Sequence, residues 1–170
     1  MKEFTLNKDK AINSLLYICE SQGGYCDMYT LLKIVFFADS QHLFTYGRPI
    51  TGDTMWSMER GPVPSFCYDT VKSASVNKKY FISEDNVIEA TLKPEINLFS
   101  ESDLECLDAS IKDNVNLPFK KLLNKSHTSA YEKTVTEKGL NKPISYLDIA
   151  KEDGKVNEDM LTYISSRFEY

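Results

Sequence analysis

Between Asp27 and Gly47 the chain carries an apolar repeat too wide for a helix on a protein surface. Met28, Leu31, Leu32, Val35, Phe36 and Leu43 recur at helical spacing, and Ile34, Phe37 and Ala38 broaden the face they make. A helix of this kind has to be buried on more than one side, so the rest of the chain must wrap around it. Asp27 is placed as its N-cap, and Gly47 follows Tyr46 where a left-handed residue would end it.

The next stretch differs in kind. Arg48, Pro49, Gly52, Asp53, Glu59, Arg60, Gly61, Pro62 and Pro64 crowd around the only tryptophan, Trp56. Glycine and proline fix backbone shape, so this density implies a specified path rather than a slack linker. The segment TMWSM reads as a short strand with Met55 and Ser57 on one face and Trp56 and Met58 on the other. Gly61 to Ser65 reads as a tight turn into a helix over about residues 66–74. Arg48, Asp53, Glu59 and Arg60 are read as a polar set that holds this loop in shape. The functional alternative is an interaction surface, because Tyr46, Trp56 and Arg60 are residue types enriched at protein interfaces.

Around these two stretches the pattern is mixed. Ile12, Leu15, Leu16 and Cys19 share one face of a first helix over about 8–21, stopped by Gly23-Gly24 and antiparallel to the central one. Residues 80–82 and 87–92 flank a polar turn of hairpin length, and with TMWSM they predict a three-stranded antiparallel sheet. Ser100 and Asp103 predict a capping box before Leu104, Leu107 and Ile111. Further helices are expected from about Pro118 to Lys125, after Ser126 or Thr128, and around Met160 to Phe168, while ISYLDIA is compatible with a strand or a helix start. The expected fold is α+β and mostly α-helical: a central buried helix with a small three-stranded antiparallel sheet, in one domain over 1–170.

The chain has 170 residues, 42% hydrophobic and 26% charged, with a net charge of −5. That excludes wholesale wrapping of nucleic acid by a basic surface. No apolar run approaches the ~20 residues of a membrane span and no signal segment opens the chain, so a cytoplasmic location is expected. Cys19, Cys26, Cys67 and Cys106 lack metal-site spacing and are read as buried free thiols. Only two histidines could serve a nucleophile. His42, three residues after Asp39, reads as a helix-surface histidine near a carboxylate, and His127 as one that fixes a helix entry. Asp39, Asp53, Glu59 and Asp69 match no metal motif, even with Lys33 nearby. No metal, cofactor or phosphate loop is indicated.

The ordered series Leu31, Lys33, Phe36, Phe37, Ala38, Asp39, Leu43, Gly47, Arg48, Pro49, Ile50, Trp56, Gly61, Pro62 and Val63 resembles the Panacea, or SocA-like, antitoxin domain. The segment SHTSAYEKT is similar to that family's second signature, with Tyr131 standing where a tryptophan commonly follows His127 by four positions. The resemblance gives Leu31, Lys33, Phe36, Ala38, Gly47, Pro49, Gly61, Pro62 and His127 as structural signature positions. It implies an antitoxin of a bacterial or phage toxin-antitoxin pair that neutralises a cognate toxin, encoded nearby, by direct binding and without catalysis. Tyr46, Arg48, Asp53, Trp56, Glu59, Arg60 and Val63 are then the expected partner-binding residues. Two alternatives stand beside it: an adaptor that delivers the toxin to an ATP-dependent protease, and a hydrolytic enzyme using His127 with Asp53 or Glu59.

Overall fold

The computed structural model describes residues 4–75, 78–152 and 154–168. Helix α1 (Lys8–Ser21) is capped by the Asn7 side chain and runs back against α2 (Met28–Tyr46) after the short strand β1 (Tyr25–Asp27). Asp27 accepts the Thr30 amide at 2.9 Å, and Gly47 ends α2 with φ 78°. Strands β2 (Met55–Met58) and β3 (Gly61–Pro64) follow, then α3 (Ser65–Lys72), β4 (Phe81–Glu84), β5 (Val87–Ala90) and α4 (Glu101–Asn114). The described chain closes with α5 (Phe119–Ser126), α6 (Ser129–Lys138), β6 (Pro143–Ile144), α7 (Tyr146–Ala150) and α8 (Glu158–Ser166). The fold is α+β and mostly helical. No helix among the described residues is long and apolar enough to cross a membrane.

Helix α2 divides two apolar clusters. Leu31, Ile34, Val35 and Ala38 face a core shared with α1, α3, α4, Phe81 and Ile88. Phe36 and Leu43 face a second core with Met55, Tyr131, Ile144, Tyr146, Ile149 and Ile164. This two-sided burial is why the helix shows almost no polar face, and α4 is its most extensive neighbour.

The strands depart from the sequence expectation. They form two antiparallel three-stranded sheets, ordered β1-β5-β4 and β3-β2-β6, so TMWSM does not join the later hairpin. Gly61 to Pro64, read as a turn, pairs with β2 in the register Met55↔Pro64, Trp56↔Val63, Ser57↔Pro62 and Met58↔Gly61. Both prolines sit on an edge strand, where a missing N–H leaves no ladder bond broken. ISYLDIA supplies both alternatives, β6 and α7. The Ser100–Asp103 capping box is present, and all four cysteines are buried free thiols.

Candidate functional site

Strands β2 and β3 are joined by Glu59 and Arg60, and three side chains from distant helices hold the connection. The Tyr131 hydroxyl donates to the Met58 carbonyl at 2.6 Å, the Tyr29 hydroxyl to Arg60 at 3.2 Å, and Lys33 Nζ to Pro62 at 2.7 Å. Alternate carbonyls along the turn are thus fixed from α6 and α2. Gly61, between them, has φ +98°. A Cβ there would lie 2.5 Å from Ser126 Oγ and 2.9 Å from Lys33 Nζ, so the position has no room for a side chain.

Lys33 is the costly part of this clamp. It is 1% exposed, and among the described residues no carboxylate pairs with it; besides the Pro62 carbonyl it faces the Tyr29 ring, 5.1 Å from the centroid. Burial pulls its pKa down from 10.5 to about 7. Charged or neutral, the amine keeps protons to donate to Pro62. An aliphatic side chain would fill the space but leave the carbonyl unpaired.

The preceding loop is held by a second set of bonds. Asp39, fully buried on α2, accepts the amides of Ile50 and Thr51 at 2.9 Å each and the Thr51 hydroxyl. Burial still raises its pKa, to about 7, against those donors. Asp53 accepts the Phe66 and Cys67 amides at 3.0 and 2.9 Å at the start of α3. Arg48 pairs with Asp103 at 3.0 Å beside Lys10 at 2.6 Å. The polar set that shapes this loop is therefore Asp39 and Asp53 acting on backbone amides.

His42 departs from its expected surface position. It is fully buried, and its ring contacts the Arg48 carbonyl through Nδ1 at 2.6 Å and Ser102 Oγ through Nε2 at 2.9 Å. A carbonyl only accepts, so Nδ1 carries the proton. Burial lowers the ring's pKa, against the Asp103 carboxylate, whose Oδ1 lies 3.3 Å from Nε2.

What the clamp presents outward is an aromatic and apolar face. Trp56 and Met58 alternate away from buried Met55 and Ser57, and Trp56 lies across the ladder from Val63. Beside them the Tyr29 and Phe119 rings meet at 4.6 Å, with the Arg60 guanidinium 5.8 Å from the Phe119 centroid. A groove of about 660 Å³ is lined by Tyr29, Met58, Glu59, Arg60, Val63, Tyr68 and Phe119, among others. It adjoins a smaller one of about 330 Å³ that shares Met58 and Tyr68 and adds Trp56 and Asp69.

Of the residues expected to bind a partner, Trp56, Glu59, Arg60 and Val63 gather here. Asp53 is a correction: it is 1% exposed and committed to the start of α3, out of a partner's reach. Tyr46, whose hydroxyl donates to Glu105 at 2.9 Å, and Arg48 lie toward α4. His127 follows α5 without fixing the next helix; Thr128 caps that helix. Its Nδ1 is 3.5 Å from Glu132, its ring is 4.6 Å from that of Tyr131, and its Nε2 is buried without a hydrogen-bond partner among the described residues. Neither Asp53 nor Glu59 pairs with it. Among the described residues no cluster of His, Cys, Asp and Glu is gathered to hold a metal. The sequence reading missed Tyr29, Tyr68 and Phe119. Tyr29, one turn before Lys33, was the one with a usable signal.

The family model for the antitoxin SocA-like, Panacea domain matches residues 31–132, and the chain belongs to that family. The match begins two residues before Lys33 and ends one after Tyr131, so it spans the clamp apart from Tyr29. Neither the curated proteins nor the solved structures contain a match to this chain.

Proposed function

We propose that this member of the SocA-like antitoxin family neutralises a cognate toxin by binding it directly through the face carried on the β2–β3 turn. The observation that carries the reading is the clamp. Donors from α2 and α6 fix alternate turn carbonyls, so Glu59 and Arg60 are presented on a backbone already ordered before any partner arrives. Preorganisation of this sort reduces the ordering cost of association. The clamp's side chains point at backbone rather than at a substrate-sized space, which is the arrangement of a scaffold for recognition rather than of acid-base chemistry. Enrichment of the exposed face in tryptophan, tyrosine and arginine supports the same role.

Co-expression with the product of the adjacent open reading frame tests this, with growth and co-purification scored together. Growth rescue with a stable complex is the expected result. Rescue accompanied by loss of the partner protein, dependent on an ATP-dependent protease, would replace it with the adaptor role. Absence of both rescue and binding would overturn it.

A further inference from the structure

We infer that the segment this face receives is a short stretch of the toxin with an apolar centre flanked by lysine or arginine. The inference rests on the direct-binding reading above and concerns the chemistry of the occupant. Strand addition at the β3 edge is closed off: three of its four residues are buried, Pro62 and Pro64 lack an N–H, and the Pro62 carbonyl is taken by Lys33. Docking therefore proceeds through side chains.

The lining selects their character. The residues common to both grooves, Met58 and Tyr68, are apolar or aromatic, as are Val63 and Phe119 of the larger one, and each groove has acids in its lining. Asp27 and Glu59 line the larger groove, and Asp69 the smaller. The nearby cations are held against rings, Arg60 over Phe119 and Lys72 over Tyr68 at 5.1 Å. The carboxylates of Glu59 and Asp69, by contrast, are exposed and have no hydrogen-bond or ion-pair partner among the described residues. Apolar linings with an unpaired acid in each groove, Glu59 in one and Asp69 in the other, are complementary to a cationic, apolar-centred segment.

The test measures affinity and rates for the toxin encoded beside this chain, at low and high salt. The variants are Glu59→Lys/Asp69→Lys, Phe119→Ala, and a control reversal at two acids that line neither groove, Glu20→Lys/Glu137→Lys. All five positions are exposed, and thermal unfolding verifies that each variant is folded. The first pair is expected to bind roughly tenfold or more weakly, mainly through slower association and with a reduced salt dependence. Phe119→Ala is expected to dissociate faster, and the control to stay within about threefold of wild type. Equal losses in the two charge pairs would reduce the effect to general charge steering and overturn the inference, as would unchanged binding by the first pair or by Phe119→Ala. In those cases the direct-binding reading stands. Failure of the wild-type chain to bind the toxin would overturn that reading itself.

Discussion

Among the described residues two hairpins have connections of two residues, and they are held differently. In the β4–β5 hairpin, Asp85 and Asn86 both take positive φ, 51° and 63°, so the turn is made by residues that tolerate the left-handed region. In the β2–β3 hairpin neither Glu59 nor Arg60 takes positive φ; the left-handed residue is Gly61 just after them, and the turn is also held from outside by Tyr29, Lys33 and Tyr131. Both border the same groove, through Asn86 on one side and Glu59 and Arg60 on the other. The difference teaches that the two central residues of a turn need not be turn formers when a following glycine takes the left-handed conformation and the tertiary structure supplies the hydrogen bonds.

The largest test of this contrast is the pH dependence contributed by Lys33. Its folded pKa is near 7 and its ordinary value 10.5, so between those pH values the unfolded chain binds more protons than the folded one. The lysine's contribution to stability is therefore flat below about pH 7 and rises as pH climbs toward 10.5. Lys33→Met should remove a rise on the order of several kcal/mol, read as the difference between variant and wild type in urea unfolding across that window. An unchanged pH profile would mean that the clamp does not bury an amine.

Gly61→Ala comes next. The added methyl meets Ser126 Oγ and Lys33 Nζ in a backbone conformation that already disfavours a side chain, and a loss of about 3 kcal/mol is expected. If the proposed binding face is the one used, toxin affinity falls with it, because the turn that carries Glu59 and Arg60 must move. Tyr131→Phe leaves the half-buried Met58 carbonyl without its donor and should remove about 1 kcal/mol by denaturant unfolding.

The smallest effect belongs to the other hairpin. Asn86→Ala keeps the backbone bonds of the turn and loses only the tolerance for positive φ, about 1 kcal/mol by the same measurement. A loss at Asn86 equal to that at Gly61 would erase the distinction between the two hairpins.

Legibility in the sequence followed the same division. Helix α2, its caps Asp27 and Gly47, the Ser100 capping box and the outward alternation of Trp56 and Met58 were readable because each rests on neighbours in the chain. Four of the expected partner residues, Trp56, Glu59, Arg60 and Val63, converge on one face, whereas Asp53 faces inward. Its carboxylate caps a helix twelve residues later in the chain, and spacing alone does not reveal that a loop acid has such a target. His42 was misplaced for a similar reason: its acceptor is the carbonyl of Arg48, beyond the end of its own helix.

By itself, then, the sequence determined the buried central helix, the mostly helical α+β class, the shaped Pro/Gly stretch after that helix, and the family resemblance that the match over residues 31–132 established. Local periodicity and backbone preference act over a few residues, which is why these were legible. Tertiary structure alone decided that the strands divide into two sheets and that a buried lysine and two tyrosines grip one turn. It also decided which exposed side chains share a groove. Those outcomes depend on hydrogen bonds between residues 29 to 73 positions apart, and on burial that exists only once the two cores close around α2.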